Sequence, residues 1–510
     1  MKHLKKGIVA SGHPLVSAAA AEILRAGGNA FDAVVCAGFA GAAVEMCLTS
    51  LGGGGFLLAR TGGEEGPCQE IFFDFFVDTP GRGRLLAGTP HFYPITVAFG
   101  GTDQQFNIGL GSVAVPGTLK GLLHVHRRLG CLPLKEILAP AIILAREHEV
   151  NAFQAMFFDM LRPIMLMSAT GKRLLQPGKQ YVRQGGTLRN LELAAFLEDL
   201  PSDQGRSFYE GEVAGRMAAE MTSDGGLLSA ADLAAYTVYE RPPLKVPYRD
   251  RILLTCPPPS LGGTLIGMSL LLSSRLPRVE TWGSGEYLLR TTKQMQEVER
   301  LREQGITSPE RLEAFLATGE VQQAAETIRQ FSRGTTHVSV ADRQGNVASM
   351  TCSNGEGSGY FAPGTGIMLN NMMGEDDLHP EGFHSAPPGE RVGSMMSPSV
   401  LVGADGANEA VIGSGGSKRI RTAIIQVLTQ LVDFERPVAE AVQAPRTYWD
   451  GECLQMEPGF TEEAIRAIRA QVPVNLWQEK NVYFGGVHTV LPGVTGAGDD
   501  RRGGAVEVVE

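Results

Sequence analysis

Before residue 335 the apolar positions recur mostly at helical spacing, and after it they gather into short strand-like runs. Residues 17–25 read as a helix stopped by Ala26-Gly27-Gly28-Asn29, and residues 31–44 as a second helix rich in small side chains that let another backbone approach closely. A glycine run, Gly52 to Gly55, leads into a strand over 56–60. Residues 133–147 have amphipathic spacing, and Pro140, lacking an N–H and crowding the preceding turn, is expected to divide them into two pieces. A further helix covers 191–200, and Pro257-Pro258-Pro259 forms a rigid turn before an apolar helix reaching Leu272. Residues 279–333 read as mostly helical and polar, with the charges of 297–303 on a solvated face.

From Thr335 onward strands are expected at 335–340, 347–352, 366–369, 399–402 and 410–412, followed by helices at 420–432 and 461–472. Val338, Val340 and Ala341 suit a strand, and Asp342-Arg343-Gln344-Gly345-Asn346 suits the turn after it, so Thr335 opens a β-hairpin. Ser353 to Gly359 reads as a flexible loop over a pocket or as a surface turn.

Composition narrows the function. The 510 residues leave the domain count open, and 43% hydrophobic with 20% charged residues is ordinary for a soluble globular protein. A formal net charge of −10 argues against a nucleic-acid partner or an anionic membrane surface, both of which call for basic patches. The seven cysteines are odd in number and lack metal-type spacing, which favours free thiols in a reducing compartment over a disulfide framework or a metal site. The basic start at Met1 to Lys6 is not followed by an apolar export core, so a cytoplasmic location is expected. No apolar run has the length of a membrane span.

Two segments carry candidate chemistry. A threonine hydroxyl inside a chain is a poor nucleophile, but cutting the preceding bond frees an α-amino group on the same residue that can serve as its base. Gly334-Thr335-Thr336-His337 reads as such a hidden N-terminus. Ala410 to Ile420 is a strand, a glycine loop and a helix start, whose successive N–H groups suit negative charge. That charge is either a phosphate or the oxyanion of acyl transfer, and the spacing matches neither the P-loop nor the dinucleotide pattern. A break in the chain before one strand, with strands packed between helices, suggests an α+β four-layer αββα sandwich.

Together these segments resemble the γ-glutamyltranspeptidases, which are N-terminal-nucleophile (Ntn) hydrolases. The resemblance rests on Gly27-Gly28-Asn29-Ala30-Phe31-Asp32-Ala33, Leu51 to Phe56, Val115-Pro116-Gly117-Thr118, Asp232 to Tyr236, Pro257 to Gly263, Thr335-Thr336-His337, Pro363 to Asn371, Ser397-Pro398 and Gly415-Gly416-Ser417, all in family order. It implies self-cleavage between Gly334 and Thr335 into a large segment, 1–334, and a small one, 335–510, that together build one αββα domain, and a homodimer of that pair is a compatible assembly. Thr335 then attacks an amide donor, Ser353 stands where the family has a threonine that hydrogen-bonds the nucleophile, and Gly415 and Gly416 match the oxyanion-hole amides. The acyl group passes to water or to an amine such as an amino acid or peptide, without metal or cofactor.

Departures from the family pattern concern the donor. Phe76 occupies the place of the arginine that pairs with the γ-glutamyl carboxylate, although Arg82 and Arg84 nearby offer substitute charges. Ser394-Met395 replaces paired serines, and Met372 and Glu375, with Asp376 beside it, replace the glutamine and aspartate that hold the α-amino group. Asn354 and Asn371 complete the expected substrate contacts. Three readings stay open: a γ-glutamyl enzyme acting on compounds such as glutathione, a cephalosporin-acylase-like amide hydrolase, and a binding protein on the same fold.

Overall fold

Helix starts in the first layer are strongly specified. His13 Nδ1 accepts the Leu15 N–H at 3.1 Å ahead of α1 (Pro14–Arg25), and Asn29 and Asp32 form a reciprocal capping box for α2 (Ala30–Val44). Every residue of α2 is buried, because its alanines and glycines let α1, α3 (Thr118–Leu129) and α4 (Leu134–Arg146) close around it. This structure, a computed structural model, describes residues 6–62, 67–83, 89–98, 103–307, 309–318, 334–375, 378–379 and 382–510. Of the helical stretch expected over 279–333, it shows helices at Gly285–Glu303 and Pro309–Thr318, and the remainder beyond 318 lies outside the described residues.

In chain order the central strands are β1 (Gly7–Ser11), β2 (Gly54–Arg60), β3 (Glu70–Phe75), β4 (Tyr239–Arg241), β5 (Leu244–Tyr248), β6 (Arg251–Thr255), β7 (Thr336–Ala341), β8 (Val347–Ser353), β9 (Ser399–Val402), β10 (Asn408–Gly415), β11 (Gly486–Leu491), β12 (Thr495–Ala497) and β13 (Ala505–Val509). One sheet has the order β13-β1-β7-β8-β2-β3-β4 and the other β12-β11-β10-β9-β6-β5, with every neighbouring pair antiparallel. The sheets stack with β7 and β8 against β10 and β11, α1 to α4 lie outside the first, and α5 (Leu261–Ser274) and α6 (Arg419–Val432) cover the second. The result is an αββα sandwich. Both sheets contain strands from either side of residue 335, and β7 is paired to β1 on one edge and β8 on the other. Among the described residues no helix is long and apolar enough to cross a membrane.

Period-two alternation decides what meets what. Val338, Val340, Met350 and Cys352 join the core around α2. On the opposite face, Ser339 Oγ donates to the His488 carbonyl at 3.0 Å and Ser349 Oγ to that of Ile412 at 3.0 Å, so polar contacts tie the two sheets together here. His337 lies between the sheets, with its ring nitrogens 2.8 Å from Thr351 Oγ1 and 2.9 Å from Ser339 Oγ, and burial pushes its pKa well down.

Three expectations are corrected. Pro140 does not divide its helix: α4 runs unbroken past it, because burial against α2 and the helix Leu191–Asp203 outweighs one lost backbone hydrogen bond. Residues 366–369 make isolated bridges, Gly52 to Leu369 and Phe361 to Met368, instead of a strand, since Gly364 and Gly366 take φ of +72° and +64° and turn the chain. Residues 353–359 form no surface turn: they are buried throughout, the chain passing through three positive-φ glycines, and Ser353 at their start lines a pocket.

Gly413 on β10 faces the His337 ring, and a Cβ there would stand 2.2 Å from His337 Cε1. Gly413→Ala is therefore expected to overpack the seam and cost about 1–3 kcal/mol, read as a lower thermal midpoint with no change in secondary structure content.

Candidate active site

The β7–β8 register pairs Thr336 with Cys352, and one further step along the two strands sets Thr335 opposite Ser353. Their hydroxyls, eighteen residues apart in sequence, lie 3.4 Å from each other, with Thr335 donating. Ser353 Oγ in turn donates to the Gly334 carbonyl oxygen at 2.6 Å and accepts the Gly355 N–H at 3.1 Å. The carbonyl before Thr335 is thus held by a hydroxyl that also touches the attacking oxygen. On its other side, the Gly334 N–H donates to Glu356 Oε1 at 3.2 Å. A Cβ on Gly334 would meet the Gly355 carbonyl at 2.4 Å, so a larger residue does not fit before the candidate nucleophile.

Gly415 ends β10 directly against this segment, where a Cβ would stand 2.2 Å from the Thr335 carbonyl oxygen. Gly416 follows at φ +125°, a region that excludes most side chains, and turns the chain into α6. Both glycines predicted from sequence therefore lie at the candidate nucleophile. Arg502, which sequence reasoning missed, donates from Nη1 to the Thr335 carbonyl at 3.0 Å. Sequence reasoning also missed Glu45, to which Thr336 Oγ1 donates, 3.1 Å from each carboxylate oxygen. Burial raises the Glu45 pKa to about 7, opposed by Thr336 and Arg502. Neither residue stands in a spacing pattern with Thr335, and no sequence signal marks them.

Beside Thr335 and Ser353 opens a pocket of about 30 Å³, room for about one water molecule. Its wall includes Phe76, Met372, Glu375, Ser394 and Met395, as expected, together with Leu378, Met396, Ser417 and Ile420. Asn354 and Asn371 are buried outside this wall. Asn371 Oδ1 accepts the Glu356 N–H at 2.9 Å, and Asn354 lies between Gly53 and Gly357, with no hydrogen-bond partner for its amide group among the described residues. Asp376 and Arg84 lie outside the described residues.

A guanidinium bonded to the Phe76 backbone belongs to Arg391, another residue not anticipated. Its Nη1 bonds the Phe76 carbonyl and the Tyr236 hydroxyl, the latter at 2.8 Å, and its Nε lies 3.1 Å from Asp78 Oδ1 and 3.6 Å from Asp74 Oδ1. The Arg391 side chain, 6% exposed, lies behind the Phe76 backbone matched by two carboxylates, and it does not line the pocket. Burial lifts the Asp78 pKa to about 6 against the pull of Arg391. Arg82 is exposed, with its guanidinium against Gly389, and does not line the pocket either.

Comparisons with known proteins agree with this geometry. A family model described as Gamma-glutamyltranspeptidase matches residues 16–509. An Acylase ACY 1 proenzyme of Pseudomonas sp. (strain V22) is 31% identical over 497 residues, covering 91% of this chain and 86% of that protein. A Glutathione hydrolase proenzyme of Escherichia coli (strain K12) is 28% identical over 520 residues, covering 92% and 85%. Among solved structures, a cephalosporin acylase from Bacillus halodurans shares the fold, with a TM-score of 0.82 at 24% identity over 99% of this chain and 96% of that one.

Removing the Ser353 hydroxyl takes away the donor on the Gly334 carbonyl. Ser353→Ala is expected to slow cleavage at that bond roughly 10²–10³-fold, as for other oxyanion donors, while Ser353→Thr keeps it. Intact mass followed over time after purification measures both rates.

Proposed function

Because the chain belongs to the gamma-glutamyltranspeptidase family, we propose that it is a self-processing amide hydrolase and acyltransferase with Thr335 as nucleophile and a donor whose acyl group ends in an apolar or uncharged portion. In the processing step Thr335 Oγ attacks the Gly334 carbonyl carbon, and the Ser353 hydroxyl, 2.6 Å from that oxygen, supports the oxyanion. The Gly334–Thr335 C–N bond breaks as the nitrogen takes a proton, and water then hydrolyses the resulting ester. Segments 1–334 and 335–510 stay together through the strand pairs that join them, β1 with β7 and β13 and β2 with β8 in one sheet and β6 with β9 in the other.

In turnover the freed α-amino group, ordinarily of pKa roughly 7.7–8.0, accepts the Thr335 Oγ proton and passes it to the leaving amine. The N–H groups of Gly415 and Gly416 stabilise the tetrahedral oxyanion. The acyl-enzyme is released by water or by an amine acceptor.

The observation that carries the donor assignment is the pocket wall around Phe76. Aromatic and methionine side chains stand there, and Arg391, which bonds the Phe76 carbonyl, is already matched by Asp74 and Asp78. A donor carboxylate brought against this wall loses water without gaining an ionic partner. The similarity to an acylase proenzyme fits such a donor. A second reading, a γ-glutamyl donor such as glutathione, is favoured by Glu375, whose carboxylate lines the pocket at the place suited to an α-ammonium group, and by the similarity to a glutathione hydrolase proenzyme.

Two measurements test the proposal. Thr335→Ala is expected to remain one chain without turnover and Thr335→Ser to retain some cleavage, while the native chain yields fragments ending at Gly334 and beginning at Thr335; intact mass and N-terminal sequencing check this, and cleavage of Thr335→Ala would refute it. Kinetics are expected to give a γ-glutamyl anilide a lower kcat/KM than an anilide of an apolar acyl group. Phe76→Arg should then raise the γ-glutamyl value roughly tenfold or more, since a hydrogen bond to a charged group contributes about 1.5–3 kcal/mol.

A further inference from the structure

Cleavage before Thr335 removes the covalent tether on one side of the nucleophile, and a chain terminus stays ordered only where its groups are tied down. Two buried side chains supply ties next to it. Arg502 holds the Thr335 carbonyl at 3.0 Å, and Glu45, at the end of α2, takes the Thr336 hydroxyl between both carboxylate oxygens at 3.1 Å. Gly12, just past β1, leaves the space for this meeting: a Cβ there would stand 2.9 Å from Glu45 Oε1 and 3.0 Å from Thr336 Oγ1. Glu45 and Arg502 are 4% and 3% exposed, so neither contact is shared with bulk water.

We propose that Glu45 is a positioning residue for the nucleophile: its carboxylate anchors Thr336 and offsets the charge of Arg502, so that the hydroxyl and the freed α-amino group of Thr335 keep one orientation. This rests on Thr335 being the nucleophile. The groups that face Glu45 are Thr336 from β7, Cys352 from β8, His488 from β11 and Arg502 from the C-terminal turn. Burial holds His488 down at about 4 and Cys352 up at about 12 and lowers Arg502 to about 10, so Glu45, at about 7, is the member of this cluster that changes charge near neutrality. Below that pH its clamp loses the negative charge, so the acidic limb of the rate profile should carry the ionisation of Glu45 together with that of the freed Thr335 α-amino group, which the Glu45 carboxylate favours in its protonated form.

The test uses Glu45→Gln, which keeps volume and an acceptor oxygen, Thr336→Val, which keeps shape and drops the hydroxyl, and the double variant, all in the self-cleaved enzyme with an anilide donor. Each single variant is expected to lower kcat roughly 10- to 100-fold with KM unchanged, as a small misplacement of reacting groups does. The double variant should be no slower than the slower single, because both remove one contact. Glu45→Gln should also shift the acidic limb of kcat to lower pH. A purely structural role predicts a lower thermal midpoint with normal kcat per cleaved molecule and an unmoved pH profile; that result, or losses that multiply in the double variant, overturns the proposal. Failure of the native chain to cleave before Thr335 or to turn over any anilide would instead refute the proposed function.

Discussion

Slipping β7 by one residue against β8 would turn every side chain on it to the opposite face of the sheet, sending His337 and Ser339 into the apolar layer around α2 and Val338 and Val340 into the polar seam. The observed register avoids both, and the turn from Asp342 to Asn346 secures it: Asp342 Oδ1 accepts the N–H groups of Gln344 and Asn346 at 2.9 Å, and Gly345 takes φ +88°. Everything at the candidate site follows from this pairing. It sets Ser353 opposite Thr335, places the Gly334 carbonyl on the Ser353 hydroxyl, and brings the Thr335 carbonyl against Gly415 across the sandwich.

Around that seam, buried charge orients groups more than it stabilises the fold. Arg446, Asp499, Arg501 and Glu457 form a fully buried ion-pair network, with Arg446 2.6 Å and Arg501 3.1 Å from Asp499. Replacing such a network with apolar groups is often neutral, whereas removing one member leaves a buried charge at a cost of about 3–5 kcal/mol. Its role here is placement: the network fixes the turn that delivers Arg502 to the Thr335 carbonyl. Arg391 is held the same way behind Phe76, which keeps its charge out of the pocket wall.

Residues close in sequence were readable because local rules govern them. The hairpin after Thr335, the capped helices of the first layer and the glycine loop before α6 appear where turn chemistry and periodicity put them. Local rules also misled. Pro140 breaks an isolated helix, and only the layers on either side of α4 reverse that preference; the glycines near residue 366 were outvoted in the pattern by apolar neighbours, yet they turn the chain. The resemblance to the family implies Asn354 as a substrate contact, but past the end of β8 it lies away from the pocket wall, between Gly53 and Gly357.

The linear order of residues was enough to mark Thr335 as a candidate hidden N-terminus and the Gly415-Gly416 loop as a candidate anion site, and the family resemblance added Ser353 as the neighbour of Thr335 and Phe76 as the altered wall, since each lies in or beside a motif that can be matched in sequence. Glu45, Arg391 and Arg502 were decided by the packed molecule alone. Their partners lie 291, 315 and 167 residues away in sequence, and they meet Thr336, Phe76 and Thr335 only when α2, the segment after β3 and the C-terminal turn close around the two sheets. A buried charge acquires a role from what surrounds it, and those surroundings exist only in three dimensions.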